Sequence, residues 1–399
     1  MTAFDTARIT MAALAIAAFA APLAANTAPR PSTAAQTPPA AGIARFTPAP
    51  DAINHTIDYR HWDEALGHFV IPMGPSIRDG AQRPESRLGT RINYGQRSRF
   101  RLEGNRVAFS YFDNGIRQGL SEYRRDLEAV GSSLDLTSLP RNEQLAYWLN
   151  LHNVAIIEAL ARQYPSRDPT EHAFGANGAA LHDAKLVTVK GVPLSPRDIR
   201  ERIVYINWQD PKVIYGFWHG MIGGPSLQRL AFTGANVDLL LSLAAEEFVN
   251  SLRGVEAYRG KLQVSALYKE AAPFYFASGD KLREHLSAFT RAEVRELVER
   301  YETIAYAPFE TAIADLTFGK GDPALNFVCG GEGGAVGALP LALNPTLCTD
   351  EATRPNPAIA RLMRERAVKL QRAARQDIRT GTVVFGDAIA QGDPPREVN

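Results

Sequence analysis

Between positions 142 and 163 the chain reads NEQLAYWLNLHNVAIIEALARQ, with apolar residues at 145, 148, 149, 156, 157 and 160 and others between them. An apolar pattern on nearly every side predicts a helix at the centre of a fold rather than on its surface. Leu186 to Val189 alternates as a β-branched strand and Lys190-Gly191 turns it. Ser195-Pro196-Arg197-Asp198 then supplies an N-cap, a proline at the first helical position and an acid two residues on, which starts a helix. Val213 to Trp218 is an unbroken apolar run and predicts a second buried strand, ending at His219 and a Gly223-Gly224-Pro225 corner. Asn236 to Leu252 and Asp280 to Tyr301 carry the spacing of two further amphipathic helices. Helices outnumber strands, so the expected class is α+β, helix-rich with a small sheet.

The ends of the chain have a different texture. Arg8 precedes an apolar stretch from Ile9 to Ala21 and then small residues, the order of a secretory signal, which predicts export to the periplasm or beyond and cleavage near Ala25. The alternative is an uncleaved anchor, although the stretch is short against the about 20 apolar residues that a bilayer span needs. No other segment is long and apolar enough to cross a membrane. From Asn26 to about Pro50 a Pro-, Ala- and Thr-rich tether follows, and folded texture runs over 51–320. The remainder, 321–399, holds a Gly-rich stretch and a helix beginning at Asn356-Pro357. That helix has Ile359, Leu362, Met363, Ala367, Leu370 and Ala374 on one face and a row of arginines with Lys369 on the other. The stripe is poor in aromatics, which favours a solvated basic face on a docked helix over contact with an anionic surface.

Composition narrows the function classes. A formal charge of +1 across 399 residues gives no whole-chain attraction to nucleic acid. No phosphate-cradling glycine motif is present, so no nucleotide or other cofactor is expected. The eight histidines lack the spacing of a zinc site, so no metal is expected either. Cys329 and Cys348 are the only cysteines. In an oxidising compartment an even pair around a Gly- and Pro-containing loop predicts a disulfide. The rival reading makes Cys329 a displaced nucleophile.

Candidate chemistry gathers around the opening of the 223–225 corner. Asn150 and Asn153 lie three apart on one face of the central helix, where buried carboxamides must be bonded, and the glycine corner is the loop they are expected to clamp. The blocks YWLNLHN, VTVKGVPLSPRDI, DPKVIYGFWHGMIGGPSL and FTGANVDLLLSLAAEEFVNSLRGV, in that order, resemble the domain-of-unknown-function 547 family over Ile53 to Phe318. The resemblance implies a fold similar to papain-like thiol hydrolases and maps the family's motif onto Asn150, Asn153, Asp198, Gly223 and Pro225. Its usual cysteines are replaced by His219 and Gly224, and its usual helix histidine by Glu201. Thiolate chemistry needs a thiolate beside an imidazole, and neither stands where the resemblance would put it.

Three readings follow. The first is a degenerate, non-catalytic member that binds a peptide, glycan or protein partner through Asn150, Asn153, Asp198, Trp218, Gly223 and Gly224. The second is a hydrolase of altered chemistry with His219 as general base, oriented by Glu201. The third is a structural scaffold. An open cleft and a carboxylate at His219 would favour the second, and a filled surround the first.

Overall fold

The computed structural model describes residues 42–81, 95–175, 177–320 and 356–378. Cys329 and Cys348 lie outside the described residues, as does the signal-like segment. The elements in chain order are α1 (Arg60–Phe69), β1 (Val70–Ile71), β2 (Arg106–Val107), α2 (Asn114–Ser133), α3 (Arg141–Gln163), β3 (Val187–Val189) and β4 (Val192–Leu194). A π-helical stretch (Asp198–Val204) leads into α4 (Tyr205–Asn207), and a 3-10 segment (Pro211–Gly216) precedes α5 (Val237–Val249). After these come β5 (Val255–Tyr258), β6 (Lys261–Ser265), α6 (Ala266–Tyr275), α7 (Gly279–Ser287), α8 (Ala292–Arg300), β7 (Ile304–Ala307) and α9 (Pro357–Arg375).

The α+β, helix-rich class is as the pattern predicts. The strands form two antiparallel pairs, β1–β2 and β3–β4, and a three-stranded sheet in which β6 pairs antiparallel with β5 and parallel with β7. The β3–β4 and β5–β6 hairpins turn on two residues of positive φ, Lys190-Gly191 and Arg259-Gly260. Two successive positive φ values match the turn to the right-handed twist of the strands, which is where glycine is needed.

α3 is the axis of the fold. Every residue from Glu143 to Ala161 is buried, as an all-round apolar helix requires. Its polar members are bonded in place: Gln144 donates to the carbonyls of Thr137 and Leu139, and Glu158 pairs with Arg124 and Arg162. The Ser195 start is a reciprocal cap, since Asp198 N donates to Ser195 Oγ and Ser195 N to Asp198 Oδ2.

Several expectations are corrected. The run at 213–218 is mostly a 3-10 segment, opened by Pro211 and by Asp210, whose side chain accepts from Lys212 N at 2.9 Å. A short buried apolar run has no period that separates strand from helix, and the cap decides. The helix expected over 280–301 is two, α7 and α8. Asn250 holds the break by donating to Phe289 O (2.8 Å) and accepting from Arg291 N (2.7 Å). Ile43 and Phe46, which composition assigns to the tether, are in the core, and Phe46 packs edge-on against Trp148 at 5.1 Å. α9 docks with Asn356 as its cap, Ile359 and Leu362 inward. Its buried side also takes Lys369, expected on the solvated face, whose Nζ donates to Gly74 O and Leu102 O. Burial lowers that ammonium to about 8.

Candidate functional site

The corner that carries His219 is built from both sides. Asn153 donates through Nδ2 to Gly216 O and accepts at Oδ1 from Trp218 N, both at 3.0 Å, so α3 fixes the residue immediately before the histidine. Asn150 does the same for a different loop, bonding the carbonyl of Phe232 at 2.7 Å and its amide at 3.1 Å. On the other side, Ile222 N and Gly223 N donate to Ala312 O and Glu310 O, and Ala314 N to Gly220 O, which zips the corner to residues 310–314. At Gly223 a Cβ would sit 2.4 Å from Glu310 N, so only glycine permits that approach. Arg253 completes the frame by donating to Gly224 O (2.5 Å) and Ser226 Oγ (3.1 Å) while paired with Glu247.

His219 is 2% exposed. Phe309 packs edge-on against it at 5.3 Å and the ring of His182 lies 5.0 Å away. Behind these rings Arg200, from the π-helical stretch, is 1% exposed and paired with Glu270 of α6 at 2.7 Å. Its Nη1 lies 3.1 Å from His152 Nε2 and 3.2 Å from His182 Nδ1. A guanidinium can only donate, so both imidazole nitrogens must be unprotonated acceptors. The proton of His152 is then on Nδ1, directed at Asn153 Oδ1 3.0 Å away, and that of His182 is on Nε2. Glu270, Arg200, His152 and Asn153 thus form one polarised line from α6 through the core to the backbone beside His219. Such a chain is satisfied only with neutral imidazoles.

Electrostatics agrees with this tautomer assignment. Burial first, and the Arg200 charge second, hold His152 down to about 3 and His182 and His219 well below the ordinary imidazole range. His219 Nε2 and His182 Nε2 are buried without a hydrogen-bond partner among the described residues. A general base needs a pKa near the working pH, and an imidazole facing a guanidinium in a sealed core has been moved away from it.

The other predicted site residues are scattered. Glu201 does not orient His219: it is half-buried and pairs with Arg197 at 3.1 Å, because the π-helical turn points Arg200 inward instead. Its carboxyl is raised by burial and by Glu270. Asp198 is spent on the Ser195 cap, Lys185 and Arg202. Trp218 is 1% exposed and stacks on Phe109 at 6.4 Å, so it belongs to the core rather than a binding surface. Gly224 packs beneath the histidine, with a built Cβ 3.1 Å from that of His219. Ser226, near the corner in sequence, donates to Glu247 and accepts from Asn105 N and Arg253, so its hydroxyl is committed away from the histidine. Sequence reasoning did not reach His152, His182, Arg200 and Glu270. The signal for one of them was His152, a histidine inside a helix that is apolar nearly all round.

Among the described residues no group of His, Cys, Asp and Glu is arranged to hold a metal ion, and no helix is long and apolar enough to cross a membrane.

The class defined by these features is a helix-rich α+β domain organised around a sealed histidine and arginine cluster. Residues 136–249 match the model of a family described as "Protein of unknown function, DUF547". The match spans α3, the β3–β4 hairpin, the π-helical stretch, the corner and α5, a narrower range than the motifs suggested. No curated protein and no solved structure matches the chain.

Proposed function

We propose that the chain is an exported, non-catalytic, hydrolase-like domain that acts by binding a peptide, glycan or protein partner. One observation carries the reading: the residue standing where a relative would place its thiol is a histidine 2% exposed, in an aromatic surround, with a guanidinium rather than a carboxylate nearby. General-base catalysis needs the reverse, an accessible imidazole whose protonated form is stabilised. The Arg200 line instead serves to fix the corner, since buried polar networks that are fully bonded rigidify what they touch. Export is supported by the order of Arg8, the Ile9–Ala21 stretch and the small residues after it.

The test is an assay of the purified chain and of its His219→Ala variant against a panel of esters, peptides and glycans. The expected result is no turnover above buffer for either. Turnover that disappears in a folded His219→Ala variant would overturn the reading and restore the hydrolase alternative. Amino-terminal sequencing of chain recovered from the periplasm or medium tests the export step, with a start near Asn26 expected and an intact Met1 contradicting cleavage.

A further inference from the structure

A groove of about 450 Å³ lies between α1 and α2, away from the histidine cluster. Its size falls within the about 300 to 1,000 Å³ of small-molecule sites. Trp62, Phe69, Phe112 and Tyr123 wall it, with Trp62 and Tyr123 stacked at 5.6 Å and 18°. Tyr123 brings a buried hydroxyl with no hydrogen-bond partner among the described residues. The charged residues of the lining are Glu122 and Asp126, both exposed on α2, and neither is in a salt bridge among the described residues. Among the described residues no lysine or arginine lines it.

Gly119, in the second turn of α2, also lines the groove. A glycine inside a helix is destabilising by about 0.5 to 1 kcal/mol against alanine. Packing does not require it here, since no heavy atom lies within 4 Å of a Cβ built at that position. What the missing side chain does is widen the groove.

We propose that this groove binds a small apolar amine, its aromatic or alkyl body between the rings of Trp62, Phe69, Phe112 and Tyr123 and its ammonium at Glu122 and Asp126. Apolar walls supply the affinity, and two carboxylates without a basic neighbour in the lining select the sign of charge. Aromatic faces add to the attraction for a cation. The proposal goes beyond the binding reading above, which names a peptide, glycan or protein partner, and the two fail separately.

The experiment titrates the full chain by calorimetry with phenethylammonium, phenethyl alcohol and phenylacetate at a pH of about 8, above the ordinary imidazole range. The ammonium should bind about fivefold tighter than the alcohol, the worth of a solvent-exposed ion pair at its upper end, and the carboxylate should bind more weakly than either. In the Glu122→Gln and Asp126→Asn double variant the ammonium and alcohol should become equal while alcohol binding is unchanged. Gly119→Leu should remove binding of all three with helical circular dichroism retained. Equal binding of the three probes, binding of none, or full binding to Gly119→Leu would each overturn the groove and leave the non-catalytic reading standing. Turnover at His219 would do the opposite.

Discussion

Replacing Asn153 by leucine isolates the contact that ties the central helix to the histidine corner. The carboxamide is 3% exposed and meets Gly216 O and Trp218 N at 3.0 Å each. Leucine is close in volume but leaves that carbonyl and that amide buried without partners, at about 1 to 3 kcal/mol apiece. Burial of the leucine side chain returns about 1.5 to 3 kcal/mol. The net loss is therefore on the order of 1 to 3 kcal/mol, larger if His152 Nδ1 also loses its acceptor. Equilibrium urea unfolding followed by near-ultraviolet circular dichroism measures it. Asn150→Leu is the matched control, since it removes two bonds of the same kind at Phe232. Both variants should lose stability, but only Asn153→Leu should change the near-ultraviolet signal of Trp218 stacked on Phe109. A loss below about 0.5 kcal/mol, the size of a surface substitution, would refute the clamp.

Two further outcomes follow from the same network. His152, His182, His219 and His285 all have folded values below the ordinary imidazole range, His152 at about 3 and His285 at about 4, chiefly through burial. The unfolded chain binds these protons first, so stability is complete above about pH 6.5 and falls as pH drops toward the folded values, by up to about 1.4 kcal/mol per pH unit per group. Urea midpoints at a series of pH values between neutral and mildly acidic check this, and a flat profile would contradict buried neutral imidazoles. Arg253→Met should destabilise by about 2 to 4 kcal/mol, less than a fully buried pair because Glu247 keeps some water. Calorimetric melting should show the loss, and Glu247→Gln alone should lose less because the carbonyl of Gly224 keeps its donor.

Much of the frame was legible in the sequence for a physical reason. The Asn142–Gln163 pattern, the Lys190-Gly191 turn and the Ser195 cap are local signals whose cause lies within a few residues, and each has its counterpart in α3, the β3–β4 hairpin and the Asp198 start. The site was less legible because its members come together only in three dimensions. Arg200 and Glu201 are adjacent, and no local rule says which one a π-helical turn sends to the core. His152 sits beside Asn153 on a helix where every side is buried, so periodicity gives it no direction. The 213–218 run read as a strand because its apolar residues carry no period. Lys369 read as solvated because the carbonyls that receive it, at Gly74 and Leu102, lie about three hundred residues away in sequence.

The central claim is that the histidine cluster is sealed and neutral rather than poised for catalysis. Modification of the native chain by diethyl pyrocarbonate, which attacks accessible neutral imidazoles, followed by peptide mass mapping, tests it most directly. His55, His61 and His68 are exposed and should be labelled rapidly, while His152, 0% exposed, and His219, 2% exposed, should stay unlabelled until the chain unfolds. Labelling of His219 in the folded protein at the rate of His61 would contradict the account.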